Sequence, residues 1–312
     1  MKKIVITIPE NLTLASIARG LSDAFRKNGF FVFETSSLND TVNLHKIRPE
    51  YIFSFDYEYF HNESLIELIQ DENPPKLMFY FTREPDNKRF NSVVKKINSS
   101  VFLASEEYKR IFSEGIFLPF GVNPSLYKFL FEKYDHQITY IGNISSDKKA
   151  QFISKLIKKY GKISVFCHRD YFEKSLNTVI DRDLLTSGEV ELFKASYKGF
   201  LKTEQEVAQV YNTSKINLNI FEDDEPSINY RVIEVLASSG FLLTECNETL
   251  SRYFEVGKEL ECFSDDTDLF DKIDFYLRNL NLCQAIALNG RKNVVNNHSF
   301  KTRVAKILKS MQ

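Results

Sequence analysis

Short apolar runs alternate with stretches of helical periodicity along the first half of the chain, the pattern of a parallel sheet covered by helices. Runs at Lys3 to Ile8, Phe30 to Glu34, Tyr51 to Phe55, Lys76 to Phe81, Ser100 to Ala104 and Gly115 to Leu118 read as strands. Between the first two, Leu14, Ile17, Ala18, Leu21 and Phe25 recur at helical spacing, and Gly29 ends that helix. Arg48-Pro49 and Pro74-Pro75 punctuate the approach to two strands, because a residue before proline leaves the helical region. Pro119-Phe120-Gly121-Val122-Asn123-Pro124 then breaks every periodicity and marks a domain boundary.

A second α/β series follows. Its expected elements are a strand Ile138 to Ile141, helix Asp147 to Tyr160, strand Ile163 to Cys167, helix Glu204 to Tyr211, strand Ile216 to Ile220, helix Asn229 to Ala237, strand Gly240 to Thr244 and a short strand Glu261 to Phe263. Helices Asp266 to Arg278 and Leu282 to Asn296, and a last one from Lys301, close the chain. The pattern predicts two Rossmann-like domains, 1–120 and 121–300, and a helical tail, 301–312, without a sheet of its own. At 312 residues each half is long enough to bury its own core.

Composition narrows the classes. Lys and Arg number 41 against 42 Asp and Glu, so no global field draws in nucleic acid or an anionic membrane. No apolar run reaches the roughly 20 residues of a membrane span, and the start is too short for a secretory signal, so a soluble cytoplasmic protein is expected. Cys167, Cys246, Cys262 and Cys283 lie far apart without a Cys-x-x-Cys pair and are expected to be thiols. The histidines show no metal-ligand spacing, so no metal is expected.

In open parallel sheets ligands bind outside the carboxyl ends of the strands. Glu225 to Gly240 holds the densest set of candidates there. Ser227 reads as the N-cap of a helix whose first amides would face an anion, with Ile228 and Asn229 leading in. Arg231 and Glu234 share one helical face: the arginine suits a phosphate and the glutamate the two hydroxyls of a ribose. The alternative is an intrahelical pair on a wet face, contributing a few tenths of a kcal/mol. Gly142 and Asn143 follow the first strand of the second domain, where glycine permits close backbone approach, and Lys148 begins the next helix. His168 and Arg169, with Gly199 and Phe200, follow or precede further elements and would border the same pocket. In the first domain Asp56 and Glu84 follow strands and are the candidate catalytic carboxylates.

Taken together, Leu118 to Pro124, Ile138 to Asn143, Ser214 to Asn219, Ile228 to Glu234, Gly240 to Thr244 and His298 to Phe300 with Arg303 make the chain resemble the CgeB-like branch of the glycosyl transferases group 1 superfamily, known from spore-maturation proteins. The resemblance covers the last 190 or so residues. It implies a GT-B fold, with the two domains facing each other across a cleft and residues 301–312 crossing back to the first, and a nucleotide-diphosphate sugar, UDP-sugar foremost, as donor substrate in the second domain. A glycan, lipid, protein or other acceptor is implied in the first, with no cofactor and no obligatory metal. It also implies that Glu234 holds the donor ribose and that Asn229 and Arg231 form the family's Asn-x-Arg element. The wider superfamily carries two glutamates flanking seven residues, whereas Pro226 stands here at the first position and Glu225 one place before it. The expected activity is metal-independent hexosyl transfer. The alternative is a non-catalytic nucleotide or sugar binder of the same fold. No Gly-x-Gly-x-x-Gly follows a predicted strand, which argues against a dinucleotide oxidoreductase.

Overall fold

The computed structural model describes residues 1–36, 44, 46–55, 73–84, 99–127, 133–222 and 226–311. The chain forms two compact units: Met1–Asn123 with Phe221–Tyr230 and Asn296–Gln312, and Pro124–Ile220 with Arg231–Val295.

In the first unit β1 (Lys3–Thr7) leads into α1 (Leu12–Lys27), followed by β2 (Phe31–Thr35), β3 (Tyr51–Phe55), β4 (Lys76–Phe81), β5 (Ser99–Leu103) and β6 (Ile116–Phe117). Asn11 caps α1 through its side chain, accepting from the Leu14 amide at 3.1 Å. Ile17, Ala18, Leu21 and Phe25 face the core as their spacing predicts. The six strands are all parallel, in the order β2-β1-β3-β4-β5-β6. Central strands covered on both faces need continuous apolar runs, and Tyr51–Phe55 and Lys76–Phe81 supply them.

The second unit runs β7 (His136–Ile141), α2 (Asp147–Tyr160), β8 (Ser164–Phe166), α3 (Arg169–Asp181), α4 (Ser187–Ser196), β9 (Tyr197–Gly199), α5 (Glu204–Asn212), β10 (Ser214–Asn219), α6 (Tyr230–Ala237), β11 (Leu242–Glu245), α7 (Glu248–Tyr253), β12 (Glu261–Phe263), α8 (Asp266–Arg278) and α9 (Leu280–Asn297). The terminal helix α10 (Phe300–Ser310) packs on α1 in the first unit. The Phe300 ring fills the space over Gly20, where an added Cβ would lie 2.0 Å from it. Arg303 is buried and ties this helix to the carbonyls of Pro119 and Phe120. The second sheet is also parallel, in the order β12-β11-β10-β7-β8-β9.

Sequence pattern places every strand from β1 to β8 and from β10 to β12 within two residues, but it passes over α3, α4, β9 and α7. One expectation is overturned: Cys246 and Cys262 form a disulfide, leaving Cys167 and Cys283 as buried thiols. The cause is strand register. β11 and β12 pair in parallel with Glu245 opposite Phe263, and the Cys246 amide donates to the Phe263 carbonyl at 2.9 Å. Cysteines 16 residues apart are thereby brought to adjacent strands. No helix among the described residues is long and apolar enough to cross a membrane.

Candidate active site

Strand order locates the crevice of the second sheet. The chain builds β7, β8 and β9 to one side and then returns to place β10, β11 and β12 on the other, so the connections diverge between the ends of β7 and β10. Arg231, in the first turn of α6, occupies this point. Its Nε donates to the Ile141 carbonyl at the end of β7 (2.5 Å), and its Nη1 to Asn219 Oδ1 at the end of β10 (2.5 Å). Asn219 is fully buried and held in turn by a 2.8 Å bond from its Nδ2 to Thr244 Oγ1 on β11. The guanidinium lies 5.3 Å from the centre of the Tyr140 ring, a cation–π contact. Gly142 closes over it at φ +146°, and a Cβ there would stand 2.2 Å from Arg231 Nη2. The glycine expected to admit a ligand thus makes room first for an arginine.

Glu234, one turn further along α6, is partly buried and accepts a 2.8 Å hydrogen bond from the Tyr127 hydroxyl. Burial pushes its carboxyl up to about 7, against the opposing pull of the Tyr127 hydroxyl and the Arg231 charge. Arg291 donates to both the Ala237 carbonyl, at the end of α6, and the Tyr127 carbonyl, so one side chain fixes the helix terminus and the Glu234 partner. Arg231 and Glu234 each engage residues outside their own helix. That arrangement differs from an exposed intrahelical pair.

The remaining candidates of this unit lie along the same edge. Asn143 Oδ1 accepts from the His168 amide at 3.1 Å, joining the loops after β7 and β8. The Cys167 amide donates to the Gly199 carbonyl, and the exposed Phe200 ring meets the His168 imidazole edge-on at 5.5 Å. Gly199 has φ +102°. Lys148 is paired with Glu245, at the end of β11, at 3.0 Å. Arg169 is drawn outward along α3 to Glu173, with its side chain 76% exposed.

In the first unit the structure corrects one detail. Ser227 does not cap α6, which starts at Tyr230, so the capping position falls to Asn229. The Ser227 hydroxyl instead donates to Glu107 Oε1 at 2.7 Å and lies 3.0 Å from the hydroxyl of Ser105. Ser227, Ile228 and Asn229 are all buried, and Tyr230 meets Phe120 edge-on at 6.0 Å. Glu84 forms an exposed ion pair with Arg110. Asp56 and Glu225 lie outside the described residues. Among the described residues no His, Cys, Asp and Glu side chains cluster as metal ligands do.

Tyr127, Asn219, Arg291, Ser105 and Glu107 were not singled out by sequence reasoning. Only Asn219 carried a signal, as the last residue of the Ser214 to Asn219 stretch that carries the family resemblance.

Solved structures share the whole architecture. Sucrose-phosphate synthase from Thermosynechococcus elongatus superposes with a TM-score of 0.72 at 12% identity, over 100% of this chain and 98% of its own. HepE of Anabaena, crystallised with UDP-glucose, gives 0.68 at 13% identity, over 99% of this chain and 100% of its own. A glycosyltransferase from Rickettsia africae gives 0.67 at 13% identity, over 99% and 97%. The two Rossmann-like units are thus those of the GT-B fold. No curated protein sequence matches the chain. A family model described as glycosyl transferase-like matches residues 148–309, just over half the chain, and the chain belongs to that family.

Proposed function

We propose that this glycosyltransferase moves a hexose from a UDP-sugar to an acceptor hydroxyl without an obligatory metal. The observation that carries the reading is Arg231, a permanent cation held at the crevice of the second sheet by Ile141 and Asn219, with Glu234 one turn away. A cation fixed before the substrate arrives stabilises charge developing on a departing diphosphate, with no reorganisation at the moment of reaction. The first-turn amides of α6 add partial positive charge at the same end. Glu234 as carboxylate accepts the two ribose hydroxyls, and the edge formed by Asn143, His168, Gly199 and Phe200 takes the base. UDP is favoured over other nucleotides on the precedent of the HepE complex, and the quoted sequence motifs support the CgeB-like branch.

Thermal unfolding with a panel of UDP-, ADP- and GDP-sugars tests this. A ligand at about 100 times its dissociation constant adds roughly 2.7 kcal/mol of stability. Stabilisation by UDP-sugars over the others supports the reading, and indifference to all of them overturns it. Binding without transfer to any acceptor would favour a non-catalytic binder.

A further inference from the structure

We propose that Tyr127 is a positioning residue for ribose recognition, its hydroxyl orienting the Glu234 carboxylate toward the two ribose hydroxyls of the nucleotide. All the residues concerned belong to the second unit, and the inference rests on the ribose reading of Glu234. Tyr127 is 1% exposed, and its hydroxyl donates to Glu234 Oε1 at 2.8 Å. A partly buried glutamate left to itself samples several rotamers, and ordering one of them costs side-chain entropy. A buried aromatic ring holding its carboxylate removes that freedom before the ligand arrives.

The ring is held in its turn. Arg291, on α9, donates from Nη1 to the Tyr127 carbonyl at 2.6 Å and also to the Ala237 carbonyl, at the end of the helix that carries Glu234. Tyr127 is thereby tied to α6 at two points, by its side chain at Glu234 and by its backbone, through Arg291, at Ala237. Hydroxyl and carboxylate share one frame, the condition under which a supporting residue keeps a binding group in its productive geometry.

An ionised carboxyl offers about four lone-pair positions. The Tyr127 bond takes one of them on Oε1 and fixes how the others are turned. Two neighbouring hydroxyls on one sugar ring match the two oxygens of one carboxylate only when that rotation is set. A neutral hydroxyl sets it without cancelling the charge that strengthens the bonds to the ligand. Burial pushes the Glu234 carboxyl up to about 7, while the Tyr127 hydroxyl and Arg231 on its own helix pull it down and Glu204 on α5 pushes it up. Tyr211, buried on α5, faces it as well. Removing the Tyr127 hydroxyl takes away a donor to the charged form, so the carboxyl then titrates at higher pH.

The test compares UDP with 2′,3′-dideoxy-UDP, which keeps the base and the diphosphate and lacks both ribose hydroxyls. The full chain and its Tyr127→Phe variant, which retains the ring, are titrated with each by calorimetry at pH 7 and pH 9. Ionisation of the diphosphate cancels in the ratio of the two affinities. Wild type should prefer UDP by more than about tenfold, the effect of hydrogen bonds to a charged group. In Tyr127→Phe we expect that preference to shrink about tenfold at pH 7 and about threefold at pH 9, where the carboxyl is charged in both proteins. Affinity for the dideoxy ligand should stay within about twofold of wild type. An unchanged preference in Tyr127→Phe overturns the proposal. So does an equal fall in affinity for both ligands, which would make the tyrosine a general support of the fold, and so does a loss that vanishes by pH 9, which would leave the hydroxyl setting the charge alone. Wild type binding both ligands alike defeats the ribose reading of Glu234, and wild type binding neither defeats the donor site altogether; either result overturns the proposal as well.

Discussion

The two sheets are built on the same parallel plan, but their reversal points are closed by different chemistry. In the first, β1 and β3 part where Thr7, fully buried, accepts the Phe55 amide on its hydroxyl at 2.9 Å. In the second, β7 and β10 part around Arg231. A neutral hydroxyl satisfies a backbone donor and brings no charge of its own. A guanidinium satisfies a carbonyl and an amide oxygen and leaves a full positive charge, partly exposed, beside a glycine that cannot carry a side chain. Arginine in such a place is expensive to bury unless its donors find partners. Supplying those partners fixes a cation at the point where ligands of open α/β sheets bind, and on that difference rests the proposal that the second edge is the nucleotide side.

The sharpest way to break the contrast is Gly142→Ala. The backbone at φ +146° disfavours an L side chain, and the new methyl would collide with Arg231, so the guanidinium must leave the crevice. We expect nucleotide affinity to fall more than about 100-fold, close to 3 kcal/mol, by calorimetry. Affinity within a few-fold of wild type would remove Arg231 from the donor site.

Next in size is Glu234→Gln, where binding and stability should move in opposite directions. The folded-state pKa of about 7 lies above the ordinary carboxyl value of 4.5, so between those values the native state holds a proton the unfolded chain has lost. Wild-type stability therefore falls as pH rises from 4.5 to 7 and levels off above, and the amide variant loses that dependence. At pH 8 the variant should unfold no earlier than wild type. Its nucleotide affinity should nonetheless drop about ten- to a hundredfold, because a carboxylate accepts two ribose hydroxyls through two oxygens and the amide through one. Wild-type affinity should itself weaken below pH 7 while the variant stays flat. Equal affinities at pH 8 would end the ribose assignment.

How far these features were legible depends on how local they are. The strands other than β9 follow from apolar runs, and α2 from its periodicity, with Ser146 and Gly161 capping its ends, all within a few residues of one another. The start of α4 was equally local: Thr186 and Glu189 form a reciprocal capping box that the sequence displays but that sequence reasoning passed over. Other features could not be read. Arg231 meets Ile141 and Asn219, 90 and 12 residues away. Spacing along α6 says which face it is on and nothing of what lies opposite. The disulfide between Cys246 and Cys262 depends on β11 and β12 pairing in parallel, which no cysteine motif announces. Glu107 and Ser227 stand 120 residues apart, joined only by the fold.

The counterpart substitution in the first sheet is Thr7→Val, which keeps the shape and removes the hydroxyl. The Phe55 amide would lose its acceptor in a fully buried position, at a cost of about 1 to 3 kcal/mol. Denaturant unfolding should show that loss, while nucleotide affinity should not change. A coupled fall in affinity would mean that the first reversal point also serves the nucleotide, and the contrast between the sheets would fail.

The smallest effect is expected at Arg169, which sequence position alone groups with the donor residues. Its side chain lies along α3, largely exposed and paired with Glu173 at 2.7 Å, whereas its neighbour His168 is tied to Asn143 through the backbone. An exposed pair of this kind is screened by solvent and held weakly, so Arg169→Ala should leave the melting temperature where it is. Affinity for UDP should change by less than about twofold, because a side chain already directed along its own helix contributes no preformed cation to a phosphate. Repeating the titration at low and high salt separates the alternatives. A tenfold loss confined to low salt would show that Arg169 steers the anion from a distance. A tenfold loss at both would show that the side chain leaves Glu173 and bonds the ligand directly, which would make the cationic side of the second edge wider than Arg231 alone.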